Sequence, residues 1–254
     1  MSGHSKWHSI RHQKGVADAR RGQLFTKLTR EIMVAVREGG SNPEANFRLR
    51  LAIQRARDNN MPMENIERAI KKGSGELEGG ASLTELVLEG YGPSGTAILV
   101  EALTDNRNRT IQEVRSTFSK HGGSLGESGC VAWIFDTKGL ITVKTDSLNA
   151  DDLALNAIDA GADDVKIESG CVEIYTKPEE LEMVRSALEA KNIPIASAEL
   201  AKVPKTLVKL DEKAAVQTLK LLDKLEELDE VQHVSSNADF PDAVLEQYQL
   251  QTSG

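Results

Sequence analysis

Aromatic side chains make up only 4% of this 254-residue chain, so its cores must be built mainly from Leu, Ile, Val and Ala. Cysteine is scarcer still. Cys130 and Cys171 stand far apart, fit no metal-ligand spacing, and read as reduced thiols of a cytoplasmic protein. No apolar run approaches the roughly 18 residues that cross a bilayer, so no membrane partner is expected. The N-terminus lacks the apolar stretch of a secretory signal. Its Arg-rich, acid-poor start has the flavour of a mitochondrial transit peptide, but Gly, Trp and Gln make a poor amphipathic helix there.

Signatures of catalysis are equally sparse. There is no P-loop, and the Gly90-Tyr91-Gly92 stretch leads into a proline and a strand instead of a helix. Gly122-Gly123-Ser124-Leu125-Gly126 matches the spacing of a nucleophile elbow, which needs a strand before it and a helix after it. Here the order is reversed, and His121 beside it is no evidence of a triad. His4, His8 and His12 recur every fourth residue, a spacing that on a helix could present three imidazoles to zinc. Gly3 and Ser5 weaken such a helix, and neither Cys nor carboxylate stands nearby. The expectation is therefore no enzyme, no cofactor, no metal and no small-molecule substrate.

What the chain does have is charge of one sign in one place. Its formal total is -8, yet Lys6, Arg11, Lys14, Arg20, Arg21, Lys27 and Arg30 meet one acid, Asp18, in the first thirty residues. Residues 1–73 hold 15 Lys/Arg and 7 Asp/Glu, a balance of +8; residues 74–254 hold the other 16 and 32, a balance of -16. Clustered cations are what a phosphate backbone rewards, so the front should hold nucleic acid and the rear should avoid it or face a protein. Trp7 would stack on a base or fill a groove, with His4, His8 and His12 among the phosphates. A second candidate is Thr104-Asp105-Asn106-Arg107-Asn108-Arg109-Thr110. There Arg107 and Arg109 stand at a helix N-terminus that itself favours anions. The same turn is equally readable as a structural one held by Asp and Asn side chains. The acidic run Glu226–Glu230 reads as a solvated helix end.

The periodicity predicts a multidomain α+β protein. A helix over 17–38 carries Leu24, Leu28, Ile32 and Ala35 inward. Asn42 and Pro43 should open a second over 43–59, burying Leu49, Ala52, Ile53 and Ala56 and flanked by Arg48, Arg50, Arg55 and Arg57. A third starts at Pro62 and buries Ile66, Ala69 and Ile70. These three define a basic helical domain with its arm, residues 1–75, and SGELEGGAS at 74–82 reads as a linker. Two strands, LTELVLEGYG and GTAILVEALT, follow around a Gly-Pro-Ser-Gly turn. Thr110 and Glu113 look like a capping box opening the next helix, and CVAWIF looks like a short strand. Then LITVKT, 149–160, DVKIE, CVEIYT, 178–190 and PIASAEL run βαββαβ, a ferredoxin-like unit. The helix at 211–228 and the strand VQHVSS are left over, and the ββαβ of 83–136 lacks that pair. Residues 83–136 plus 207–250 would thus form a second α+β domain with 137–206 inserted into it as the third.

Four stretches carry a family resemblance: GHSKWHSIRHQKGVADARRGQLFTKLTREI, NMPMENIERAIKKG, LEGYGPSGTAILVEALTDNRNRT and FSKHGGSLGESGCVAWIF. They resemble the YebC family of bacterial proteins, which has mitochondrial translational-activator relatives, over essentially the whole chain. Gln13 stands where a basic residue is usual, and Gly15 where alanine is. The resemblance implies a helical domain followed by two ferredoxin-like α+β domains, and a non-enzymatic regulator of gene expression. Members are described both as DNA-binding transcription regulators and as ribosome-associated translation factors that relieve stalling at proline-rich stretches. An irregular arm with Trp and His suits rRNA or tRNA better than duplex DNA, and acidic rear domains suit basic ribosomal proteins. A protein-only scaffold is the remaining reading.

Overall fold

The computed structural model describes residues 18–77, 82–145, 149–168 and 170–252. Among the described residues three helices come first: α1 (Asp18–Gly39), α2 (Phe47–Asp58) and α3 (Met63–Ser74). Leu28, Ile32, Ala35 and Val36 of α1 pack with Leu49, Ala52, Ile53 and Ala56 of α2 and with Ile66 and Ala69 of α3. The core is therefore the set of aliphatic stripes that the 3.6-residue period marks. Where α3 crosses α1, a Cβ on Gly73 would stand 2.9 Å from both the Met33 carbonyl oxygen and the Val36 Cβ. Glycine there lets the two backbones approach.

The second helix starts four residues later than Asn42 and Pro43 suggest. Asn42 makes a tight turn instead, its Oδ1 accepting from the Glu44 N–H at 3.0 Å. The cap is Asn46, buried, whose Oδ1 accepts from the Leu49 N–H at 3.0 Å. Its amide also donates to the Ala35 and Gly40 carbonyls at 2.7 and 2.8 Å, so one side chain closes α1 and opens α2.

Strands β1 (Thr84–Tyr91) and β2 (Ala97–Thr104) form a hairpin. Next come α4 (Arg107–Lys120) and the two-residue β3 (Ser124–Leu125), which pairs with β1. After them β4 (Phe135–Lys144), α5 (Ala150–Asp159), β5 (Asp164–Glu168), β6 (Cys171–Thr176), α6 (Leu181–Ala190) and β7 (Ile195–Pro204) make the βαββαβ run. The chain closes with β8 (Val208–Lys209), α7 (Glu212–Glu226), β9 (Val231–Ser236), β10 (Ala238–Asp239) and α8 (Asp242–Thr252). The described residues form two antiparallel four-stranded sheets, ordered β3-β1-β2-β9 and β5-β6-β4-β7, the second in the ferredoxin-like order; β8 and β10 pair parallel. Strand β9 lies against β2 from Ile98–Ser236 to Ala102–Val231, across the whole intervening run.

Two further local expectations fail. Thr110 does not open α4, because Asn106 caps it from four residues upstream, its Oδ1 accepting from the Arg109 N–H at 3.1 Å. Thr110 instead donates to Thr104 Oγ1 at 2.8 Å within the turn. CVAWIF is not a strand: residues 132–134 are a 3-10 turn and β4 begins at Phe135. Strand β4 then runs straight through Gly139. A Cβ on that glycine would crowd Leu181 Cβ at 2.9 Å, so it serves close packing rather than a turn.

The chain divides into two compact units, one of residues 16–132 with 216–236, the other containing 133–215 and 237–254. The three helices and the first sheet thus share a unit. The segment from 237 on goes with the second sheet instead of with residues 83–136. No helix among the described residues is long and apolar enough to cross a membrane.

Candidate nucleic-acid interface

His4, Lys6, Trp7, His8, Arg11, His12 and Lys14 lie outside the described residues, and Arg20 is placed only as part of the first turn of α1. Arg21 follows on the same helix, exposed. The remaining basic side chains of α1 have internal work. Lys27 Nζ donates to the Glu226 carbonyl at 2.5 Å, and Arg30 Nη1 donates to the Asp229 carbonyl at 2.5 Å. Gln23 Nε2 reaches Asp229 Oδ1 at 3.3 Å. A helix leaves its last carbonyls without partners, and cations placed there meet the negative end of its dipole. The acidic run after α7 is therefore docked against α1 and is more than a solvated end.

The arginines of α2 are mostly engaged too. Arg48 pairs with Glu38 and Glu85. Arg50 donates to the Pro43 and Glu44 carbonyls at 2.7 and 2.8 Å and lies over the Phe47 ring at 5.7 Å. Arg55 pairs with Glu31 at 3.2 Å and sits 3.0 Å from His233 Nε2. These contacts neutralise cations that the sequence alone leaves facing solvent. Among the described residues of the helical region, Arg57, Arg68, Lys71 and Lys72 make no side-chain hydrogen bond or ion pair. Three of the four lie on α3, a helix whose sequence draws notice only for its buried face. Their signal is the Arg-x-x-Lys-Lys spacing at the end of NIERAIKKG.

Arg68 and Lys72 stand one turn apart and line a groove of about 480 Å³ between α1 and α3. Asn65 and Ala69 complete the α3 wall. Phe25, Thr26, Thr29, Arg30 and Met33 form the α1 wall, with Met61 and Leu83 adding apolar surface and Asp105 at the rim. The groove thus brings Arg30 beside the residue that precedes the 106–110 turn. That turn has divided roles. Arg109 donates at 2.8 Å to both Asp105 and Glu230, which raise its pKa, the hydrogen bond it makes to Glu230 contributing most. Arg107 is exposed and makes no such contact.

The segment with elbow spacing is a helix-to-strand turn. Gly122 has φ +78°, and a Cβ on Gly123 would stand 2.7 Å from the Tyr91 carbonyl oxygen. The loop after it is organised by one buried carboxylate. Glu89 accepts from the Gly129, Val131 and Ala132 N–H groups at 2.6, 2.7 and 2.7 Å. Burial pushes its pKa up, but the three backbone donors outweigh it and hold the carboxyl below its ordinary value. Both cysteines are free thiols, and no cluster of metal-ligating side chains occurs among the described residues.

Fold and charge define the class: a basic helical module followed by α+β domains, with two open cations, Arg68 and Lys72, lining a groove. Family models agree over most of the length. Residues 5–76 match the TACO1/YebC protein N-terminal domain, and residues 83–238 match the TACO1/YebC second and third domain. The chain belongs to the TACO1/YebC family. A probable transcriptional regulatory protein of Dehalococcoides mccartyi is 62% identical over 99% of this chain and 100% of its own length. One from Chloroflexus aurantiacus is 56% identical over 94% and 96%. The crystal structure of a conserved hypothetical protein from Aquifex aeolicus matches with a TM-score of 0.82 at 52% identity, covering 89% of this chain and 93% of that one.

Proposed function

We propose that the protein is a non-enzymatic, nucleic-acid-binding regulator of gene expression. It acts in translation, laying its helical module on ribosomal RNA or tRNA and relieving stalling, for example at proline-rich stretches. The observation that carries this reading is where the open cations lie. Arg68, Lys71 and Lys72 lie on the second half of α3, and Arg68 and Lys72 line a mixed polar and apolar groove. A helix lying in a DNA major groove presents side chains to phosphates on both flanks. On α3 the exposed flank includes Glu64 and Glu67, and on α2 three of four arginines are already bound within the protein. Irregular RNA, whose bases and phosphates can be met from one side, fits this surface better. His4, Lys6, Trp7, His8, Arg11, His12 and Lys14 would add phosphate and stacking contacts, continued by Arg20 and Arg21 on the first turn of α1. Arg107, exposed at the head of α4, would add one. The acidic remainder would be held clear of RNA and free to meet basic ribosomal proteins, in the cytoplasm.

A second reading, DNA-binding transcription regulation, is favoured by the names of the relatives, which are called probable transcriptional regulatory proteins. Co-sedimentation with ribosomes separates the two. The translation reading expects intact protein in ribosomal fractions at physiological salt and much less of a chain lacking residues 1–20. Protein that stays out of those fractions yet retards a promoter fragment transfers the assignment to DNA.

A further inference from the structure

The groove between α1 and α3 has chemistry beyond charge. Its α1 wall carries Phe25 and Met33, Met61 adds a third large apolar side chain, and Arg68 and Lys72 stand on the α3 wall. Asn65 offers an amide donor and acceptor on the same wall, and Asp105 offers acceptors at the rim. A volume of about 480 Å³ falls within the roughly 300–1,000 Å³ of clefts that take small organic groups. A phosphate track needs only cations, so an aromatic, thioether-lined floor beneath them calls for a ligand with a flat apolar face. An acidic peptide would satisfy the cations and leave that floor unused. The Asp105 carboxylate, its charge already met by Arg109, has lone pairs left to accept from a base N–H or a ribose hydroxyl.

We infer that this groove receives one unstacked nucleotide of a single-stranded RNA segment. The base lies against Phe25, Met33 and Met61, its edge meets Asn65, and a flanking phosphate is held by Arg68 and Lys72. The site turns the helical module from a patch that reads only charge into one that requires an extrudable base. It rests on the RNA reading above and specifies how that surface grips its partner.

The test uses the full chain and a ten-nucleotide single-stranded RNA carrying one 2-aminopurine. Thr26 is exposed and lines the groove, so Thr26→Trp fills it without altering any charge. A fluorescence change is expected when the natural chain binds. Thr26→Trp is expected to weaken binding about tenfold or more, the worth of a lost base stack, with the salt dependence unchanged. Binding by Thr26→Trp within twofold of the natural chain overturns the inference while leaving the RNA reading in place. Failure of the natural chain to bind any RNA overturns both. Photo-crosslinking of a 4-thiouridine version to the natural chain tests the same site without relying on the variant's folding. Adducts within 25–33 or 61–72 support the site, and adducts only elsewhere overturn it.

Discussion

The Arg109 guanidinium meets the Glu230 carboxylate at 2.8 Å although 121 residues separate them. Glu230 is buried and immediately precedes β9, so the pair ties the head of α4 to the strand that completes the first sheet. An arginine so occupied is a poor phosphate ligand, whereas Arg107 two residues away is open. Arg109→Ala should lower the melting temperature by about 2–4 °C and leave RNA affinity within twofold. Arg107→Ala should do the reverse. Thermal melts paired with filter binding check both.

Glu89 supplies the pH-dependent element of the first sheet. Its folded pKa lies below the ordinary glutamate value of 4.5, so its contribution is complete above that value and fades as pH falls through the folded one. Glu89→Gln keeps the shape and loses charge-assisted bonds to three N–H groups. It should cost about 1–3 kcal/mol at neutral pH. Denaturant titrations at pH 7 and at successively lower pH should show the gap between the two proteins closing below pH 4.5.

Gly73 controls the spacing of the two groove walls. Gly73→Ala drives a methyl group toward the Met33 backbone carbonyl, which cannot swing aside. A destabilisation of about 1–3 kcal/mol is expected, measured by urea unfolding. Gly75, where a Cβ meets open space but φ is +82°, makes a useful contrast. There Gly75→Ala should cost about 1 kcal/mol from backbone strain alone.

Arg20 and Arg21 test the arm. Replacing both with alanine should reduce the slope of log affinity against log salt by about 1.4 for single-stranded RNA, two phosphates' worth. An unchanged slope removes them from the contact.

Much of this architecture is legible in the sequence because it depends on local periodicity. Leu28, Ile32 and Ala35 sit on one helical stripe, and CVEIYT, rich in β-branched and aromatic residues, reads as a strand without further knowledge. What escapes is whatever depends on partners far away in the chain. Asn46, rather than Asn42, opens α2 because its amide finds the Ala35 and Gly40 carbonyls, which no local rule anticipates. Lys27 and Arg30 read as phosphate ligands until α7 brings the Glu226 and Asp229 carbonyls to them across 199 residues. Arg68 and Lys72 escape for the converse reason. A charged pair at the end of a short helix reads as routine solvation until the fold sets it beside Phe25 and Met33.

The central claim is that the cations left open at the end of α3 bring this protein to the ribosome. Its most direct test is sedimentation of purified ribosomes with the full chain and with Arg68→Ala, Lys71→Ala, Lys72→Ala combined, at physiological salt. The natural chain should pellet with ribosomes, and the triple variant, still folded by circular dichroism, should bind at least tenfold more weakly. Equal pelleting of the two, or absence of the natural chain from the ribosomal fraction, would contradict the claim.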